Sequence, residues 1–294
     1  MSKSRIIGVI LALLGVVLFS AKAVMVKLAY QYDVDAVSLL LLRMLFALPL
    51  YLVIAFVKRP KDPEVMKPKV YLWIIGLGVV GYYLASLFDF LGLQYIKASL
   101  ERIILFVYPT IVLFISRIFF KKLITGSQVL AIGLTYVGVV LAFSLEFSLE
   151  GEGLFVGAGL IFLSAITYAS YIAGSGWLIP KVGATVFTSY AMIVSCICVL
   201  VHYSLVGDFN LMNYGMEVYG LGFAMAVLST VIPSYLVSYS IKMIGAPSFA
   251  VVASFGPIST ILLASYFLGE TMHWAQWVGT VLVLVGVFFV TKKD

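Results

Sequence analysis

Ten runs of about 20 apolar residues, joined by short polar turns, restrict this chain to one kind of solution. A bilayer core about 30 Å thick is crossed by roughly 20 residues of helix. Within hydrocarbon every backbone N–H and C=O must be satisfied inside the chain, so runs of this length cross as helices. The runs are residues 6–30, 36–57, 70–92, 98–120, 127–145, 153–177, 184–206, 216–241, 246–268 and 274–291. Composition agrees: 63% of the 294 residues are hydrophobic and 11% charged, whereas about a quarter are charged in soluble domains. The expected fold class is an all-α integral membrane protein of ten transmembrane helices. The first run, Ile6 to Tyr30, is too long for a signal peptide and is followed by nine more, so it reads as a span.

The formal net charge of +6 would suggest a nucleic-acid partner in a soluble protein. Here the basic residues sit in the turns, where they set orientation, and no nucleic acid is expected. With a cytoplasmic N-terminus, the inner turns and ends collect Lys3, Arg5, Lys58, Arg59, Lys61, Lys67, Lys69, Arg117, Lys121, Lys122, Lys181, Lys242, Lys292 and Lys293, against Lys97 alone outside. Acidic residues show the reverse bias, with Asp33, Asp35, Glu146, Glu150, Glu152, Asp208, Glu217 and Glu270 outside. Both termini are therefore expected on the cytoplasmic side of a bacterial-type inner membrane.

The chain also echoes itself. A shift of 148 positions sets Ala98 on Ala246, Pro109 on Pro257, Phe119 on Phe267, Gln128 on Gln276 and Gly138 on Gly286 without a gap. Five spans per half is an odd number, so the second half must enter the membrane inverted. The turn charges follow, since Lys121 and Lys122 after the fourth span answer to Gly269 and Glu270 after the ninth. The expected organisation is two inverted five-helix repeats, 1–149 and 150–294, with a seam at Glu150 to Gly153 and no linker domain.

The run Gly256, Pro257, Leu268, Gly269, Glu270, Gln276, Gly279, Gly286 and Val287 resembles the ninth and tenth spans of the drug/metabolite transporter superfamily, in particular its ten-span EamA-type carriers. Arg43 within LLRMLFA is similar to that family's second-span arginine, and Ala98, Pro109, Gln128 and Gly138 repeat the later pattern. Two positions depart from it: Lys122 stands where the other half has Glu270, and LFSAKAVMVK lacks the tryptophan that relatives often carry before the serine. The resemblance covers essentially the whole chain. It implies a secondary carrier without ATP or any cofactor, moving a small amphipathic metabolite such as an amino acid, by export, through alternating access. Substrates across the superfamily range from amino acids to nucleotide sugars and cationic drugs, so the resemblance leaves the substrate open.

Ionisable groups at the bilayer centre cost about 2.5 to 3.5 kcal/mol or more and normally face a cavity or a partner. The candidates are Lys22, Lys27, Arg43, Asp89, Glu101 and Arg102, all in the first half. Lys22 and Arg43 lie deepest, roughly 10 Å down, whereas snorkelling to the interface is an equal alternative for the other four. Gly78, Gly81, Ala85, Asp89 and Gly92 recur at helical spacing as a small-residue face, which turns Asp89 toward protein. Glu101 and Arg102 are adjacent and point about 100° apart. The expected arrangement is an ion-pair network of Arg43, Asp89, Glu101 and Arg102, leaving Lys22 for a substrate carboxylate. Proton coupling through Asp89 or Glu101, facilitated diffusion and exchange are all compatible with these residues.

Tyr82 on the third span, Tyr168 and Tyr171 with Ser164 and Ser175 on the sixth, and Tyr239 with Ser229, Tyr235 and Ser238 on the eighth add ring faces and hydroxyls suited to a partly apolar substrate. Interhelical hydrogen bonding is the alternative, with Tyr235 and Tyr239 the more belt-like. Pro109 and Pro257 occupy equivalent positions, as a hinge or as a purely structural kink. Cys196 and Cys198 point apart on a helix and cannot pair. His202 and His273 give no metal spacing, and no cofactor motif occurs. The site is expected between the halves, lined by spans 1, 3, 4, 6, 8 and 9. An intramembrane enzyme on lipid-linked substrates and a channel are the competing functional classes, and monomer and homodimer are equally open.

Overall fold

The computed structural model describes residues 3–58, 60, 66–120, 126, 130, 133–134, 136–138, 140–141, 153–207, 211–253 and 255–291. Most of these residues are helical. The helices are α1 (Lys3–Tyr30), α2 (Ala36–Val57), α3 (Pro68–Gly78), α4 (Ala85–Leu93), α5 (Ala98–Leu105), α6 (Tyr108–Phe120), α7 (Leu154–Val182), α8 (Ala184–Val206), α9 (Met216–Ala226), α10 (Ile232–Ala253), α11 (Phe255–Leu268) and α12 (Trp274–Thr291). Among the described residues six stretches are long and apolar enough to cross a membrane: Ser4–Tyr30, Ala36–Val57, Pro68–Leu93, Leu154–Val182, Ala184–Val206 and Met216–Ala246. Large apolar side chains cover the outside, Phe56 at 72%, Leu72 at 68% and Leu205 at 78% exposure, an arrangement that water would not tolerate but lipid requires. The expected fifth span, 127–145, lies largely outside the described residues, as do Lys121, Lys122, Gln128 and Glu150.

Local sequence explains several boundaries. Asp35 caps α2, its carboxylate accepting from the backbone N–H of Val37 at 2.8 Å and of Ser38 at 2.9 Å. Pro68 starts α3 at a position where its missing N–H costs nothing. Gly183 has φ 87°, which lets α7 turn directly into α8 through a single residue.

Three of the expected spans are not plain helices. The third is α3 and α4 joined by a π turn, Val79–Leu84; the eighth is α9 and the part of α10 before Gly245, joined by a second one, Val227–Val231. Val79 and Val227 lie 148 positions apart, the same offset that relates the later segments. The fourth span, expected as one helix over 98–120, breaks at Phe106–Val107 into α5 and α6. Pro109 explains the break, because it has no N–H to give to the Leu105 carbonyl. The backbone tightens there into shorter-range bonds, Val107 to Ile104 at 3.1 Å and Thr110 to Val107 at 3.0 Å. Pro109 therefore sits in the first turn of α6 and does not kink a continuous helix. Pro257 is likewise the third residue of α11, and α10 consists of two helical pieces that meet at Gly245, whose φ of 80° and ψ of 156° are not helical.

The small-residue face does what its spacing predicts. A Cβ on Gly78 would stand 2.5 Å from the Ala191 carbonyl oxygen of α8, and one on Gly92 2.6 Å from Ile161 Cδ1 of α7. Helices α3 and α4 thus approach α8 and α7 within contact distance along this face.

Candidate functional site

A cavity of about 90 Å³ lies in the middle of the bundle, lined from α1, α2, both π turns, α4 through α7, α10 and α11. Gly81 and Tyr82 of the first π turn and Ser229 and Thr230 of the second both face it. A π turn adds a residue to one helical turn and displaces the backbone outward, a device that recurs at functional sites. On the scale where one water needs roughly 10–15 Å³, the cavity holds several waters or a small polar group.

Three cations line it, Lys22, Arg43 and Arg102. Two carboxylates stand beside them, Asp89 at 1% exposure and Glu101 fully buried. Lys22 Nζ is 2.6 Å from Asp89 Oδ2 and 3.8 Å from Glu101 Oε1. These are ion pairs by distance, with no donor aligned for a hydrogen bond to either carboxylate. The expected network is thus reversed: Lys22 holds both acids and the arginines hold neither. The reason is the close approach of α1 to α4, where the Tyr30 hydroxyl donates to the Phe90 carbonyl at 2.6 Å and Lys27 Nζ to the Leu93 carbonyl at 3.1 Å. That contact carries Lys22 between the acids ahead of either arginine.

Arg43, 3% exposed, lies over the Phe90 ring, with its Cζ 4.7 Å from the centroid. Its Nε and Nη2 are buried without a hydrogen-bond partner. Arg102 Nε donates to Thr260 Oγ1 of α11 at 2.8 Å, and its Nη2 is buried and unpartnered. The formal charges of Lys22, Arg43, Arg102, Asp89 and Glu101 leave one positive charge in excess.

The tyrosines divide. Tyr82 and Tyr168 line the cavity, whereas Tyr171 sits behind them, packed edge-on against Tyr82 at 4.9 Å and stacked on Phe187 at 5.5 Å. Tyr239 is 41% exposed, bonds Thr185 Oγ1 at 2.7 Å and is not part of the cavity lining. It belongs to a hydroxyl ladder between α8 and α10 with Ser189–Tyr235 at 2.7 Å and Thr188–Ser238 at 2.6 Å. Pro109 and Pro257 do not line the cavity, although their neighbours Tyr108 and Gly256 do.

Several contributors escape sequence reasoning. Phe19, Tyr108 and Phe249 supply the aromatic wall, and Ser86 and Thr230 polar points; nothing in their spacing sets them apart from core positions. Glu270 is visible in the sequence only as a turn residue. Its carboxylate caps α5, accepting from the N–H groups of Ala98 and Ser99 at 3.0 Å each and from the Ser99 hydroxyl at 2.7 Å.

Among the described residues no group of three or more His, Cys, Asp or Glu side chains could hold a metal ion. His202 bonds the Tyr83 hydroxyl at 3.0 Å through Nδ1, and Cys196 and Cys198 are both free.

An all-helical membrane bundle with a charged, partly aromatic cavity has the architecture of a polytopic membrane transporter. The chain belongs to the EamA-like transporter family, whose profile matches residues 6–144 and 155–292. It is 33% identical over 96% of its length to the "uncharacterized transporter YcbK" of Bacillus subtilis, of which the match covers 91%. An "uncharacterized transporter" of Archaeoglobus fulgidus matches at 27% identity over 90% of this chain and 93% of that one. A third, from Synechocystis, matches at 24% over 98% and 94%. One solved crystal structure of a protein superposes with a TM-score of 0.68 at 14% identity, over 96% of this chain and 95% of that one, and so shares the fold. The family and these relatives make the chain a membrane transporter and not an enzyme.

Proposed function

We propose that the chain is a secondary carrier that moves a small amphipathic solute, such as an amino acid or a related metabolite, by alternating access at the central cavity. The observation that carries this reading is the cavity itself, lined by α1, α2 and α4–α6 of the first half and α7, α10 and α11 of the second, with a π turn from each half at its wall. The proposed moving units are two inverted repeats, 1–149 and 150–294. Equal offsets of 148 between the π turns, and between the prolines in the first turns of α6 and α11, support that division.

In this structure the end of the bundle bearing Asp35 and Glu270 is tied together. The Tyr214 hydroxyl donates to Asp35 at 3.1 Å, and Glu270 caps α5. That end is proposed to face outward and both termini the cytoplasm. Support comes from the opposite end, where Lys181 Nζ lies 3.5 Å over the Trp177 ring and the Trp73 ring meets Trp177 edge-on at 5.8 Å, a basic and aromatic belt. Export is the proposed direction, and proton coupling would fall to Asp89 or Glu101.

The test is counterflow in proteoliposomes holding the purified chain, with a small library of labelled metabolites. A carrier gives saturable uptake driven by the same solute trapped inside. Flux that never saturates, or no flux for any library member, would overturn the reading.

A further inference from the structure

The ion pairs of Lys22 consume both carboxylates near the cavity. They leave Arg43 and Arg102 facing it with hydrogen-bond donors that no described residue accepts: Nε and Nη2 of the first and Nη2 of the second. A buried guanidinium with idle donors is unfavourable by itself. Its planar fork fits one ligand chemistry best, an oxyanion taken by parallel N–H bonds. The cations beside the cavity outnumber the carboxylates, which favours an anion over a neutral or cationic ligand. Phe19, Tyr108, Tyr168 and Phe249 also line the cavity and suit an apolar or aromatic body.

Resting on the carrier reading above, we infer that the site takes organic monocarboxylates, with the carboxylate held by Arg43 and Arg102 and the apolar body against the aromatic wall. Arg102 already reaches α11 through Thr260. A carboxylate seated on both arginines therefore adds a link between α2, α5 and α11, and binding of the anion draws those helices together.

The experiment measures the thermal unfolding of the full chain in detergent against four probes: benzoate, benzamide, benzylamine and inorganic phosphate. Benzoate raises the midpoint, and the neutral and cationic isosteres do not. Arg43→Gln and Arg102→Gln each weaken the benzoate response by roughly tenfold or more in apparent Kd. Arg43→Gln also unfolds at a higher temperature than the parent without ligand, because it removes a buried charge that lacks a partner. Equal stabilisation by benzamide or benzylamine, stronger stabilisation by phosphate, or a benzoate response retained in both variants would overturn the inference. Binding is read without transport, so benzoate binding in a chain that gives no counterflow sinks the carrier reading and leaves the anion site standing.

Discussion

Replacing Glu270 with alanine removes an acceptor that three donors share: the N–H groups of Ala98 and Ser99 and the Ser99 hydroxyl. Ser99 is the second residue of α5, with no helical turn before it to accept its hydroxyl, so all three donors lose their partner. Ala98 is fully buried and Ser99 2% exposed, so water reaches these donors poorly. Losing a helix cap costs about 0.5–2 kcal/mol, and each hydrogen bond to a charged group contributes about 1.5–3 kcal/mol. Because removing the part-buried carboxylate also removes its own desolvation cost, the net loss is about 2 kcal/mol. The cap joins the turn before α12 to the start of α5, so the loss falls on the tied form and shifts its balance against an open form by roughly 30-fold. The assay labels a Ser86→Cys reporter at the cavity wall with a membrane-impermeant maleimide, with and without Glu270→Ala. Labelling from the Asp35 end should accelerate by at least about tenfold. Glu270→Gln, with one acceptor oxygen left, should fall between. A labelling rate and an unfolding temperature both unchanged in Glu270→Ala would refute the reasoning.

Lys22→Met strands Asp89 and Glu101 without a counter-charge and should destabilise the chain by about 3–5 kcal/mol; adding Asp89→Asn should recover a large part, read from unfolding midpoints in a double-mutant cycle. Gly78→Ala should cost about 1–3 kcal/mol, because the added carbon meets the backbone oxygen of Ala191 at 2.5 Å, which no rotamer change relieves; the recovered fraction of folded protein on size exclusion measures it. Burial raises the pKa of Asp35, but hydrogen bonds from Ser38, Tyr214 and Val37 outweigh it and hold the carboxyl below its usual range. A depressed pKa places this stabilisation above the unfolded value of about 3.9 and removes it as pH falls through the folded value. Asp35→Asn, which keeps a cap, should therefore flatten the acid side of the stability profile below about pH 4. Pro109→Ala should change stability by less than about 1 kcal/mol, since the break at Phe106–Val107 already accommodates the missing N–H and the proline sits in the first turn of α6; chemical or thermal unfolding decides it.

The spans are legible because hydrocarbon leaves so little choice: α2 and α8 run over the residues that hydropathy marks, 36–57 and 184–206. The burial of Arg43, Asp89 and Glu101 follows from the cost of their charges. Their partners do not. Whether Lys22 or Arg43 reaches Asp89 depends on the rotation and spacing of α1 against α4, and contacts such as Tyr30 with Phe90, 60 residues apart, fix both. The π turns leave no pattern in a single chain, because the extra residue is accommodated by packing across the bundle. The position of Tyr239 is hidden for a related reason, since helical spacing puts it on a face with Tyr235 without saying that this face meets α8. Glu270 shows the converse case. Its place in a turn is plain, but its target begins 172 positions earlier at Ala98.

The two π turns carry a historical consequence. An extra residue inserted into one helix alone would throw that half out of step with the other, and a constant offset could not run across it. The offset of 148 holds from Val79 and Val227 through Pro109 and Pro257. If the halves descend from one five-helix ancestor, the insertion was already present in it, and the widened turn is older than the doubled chain.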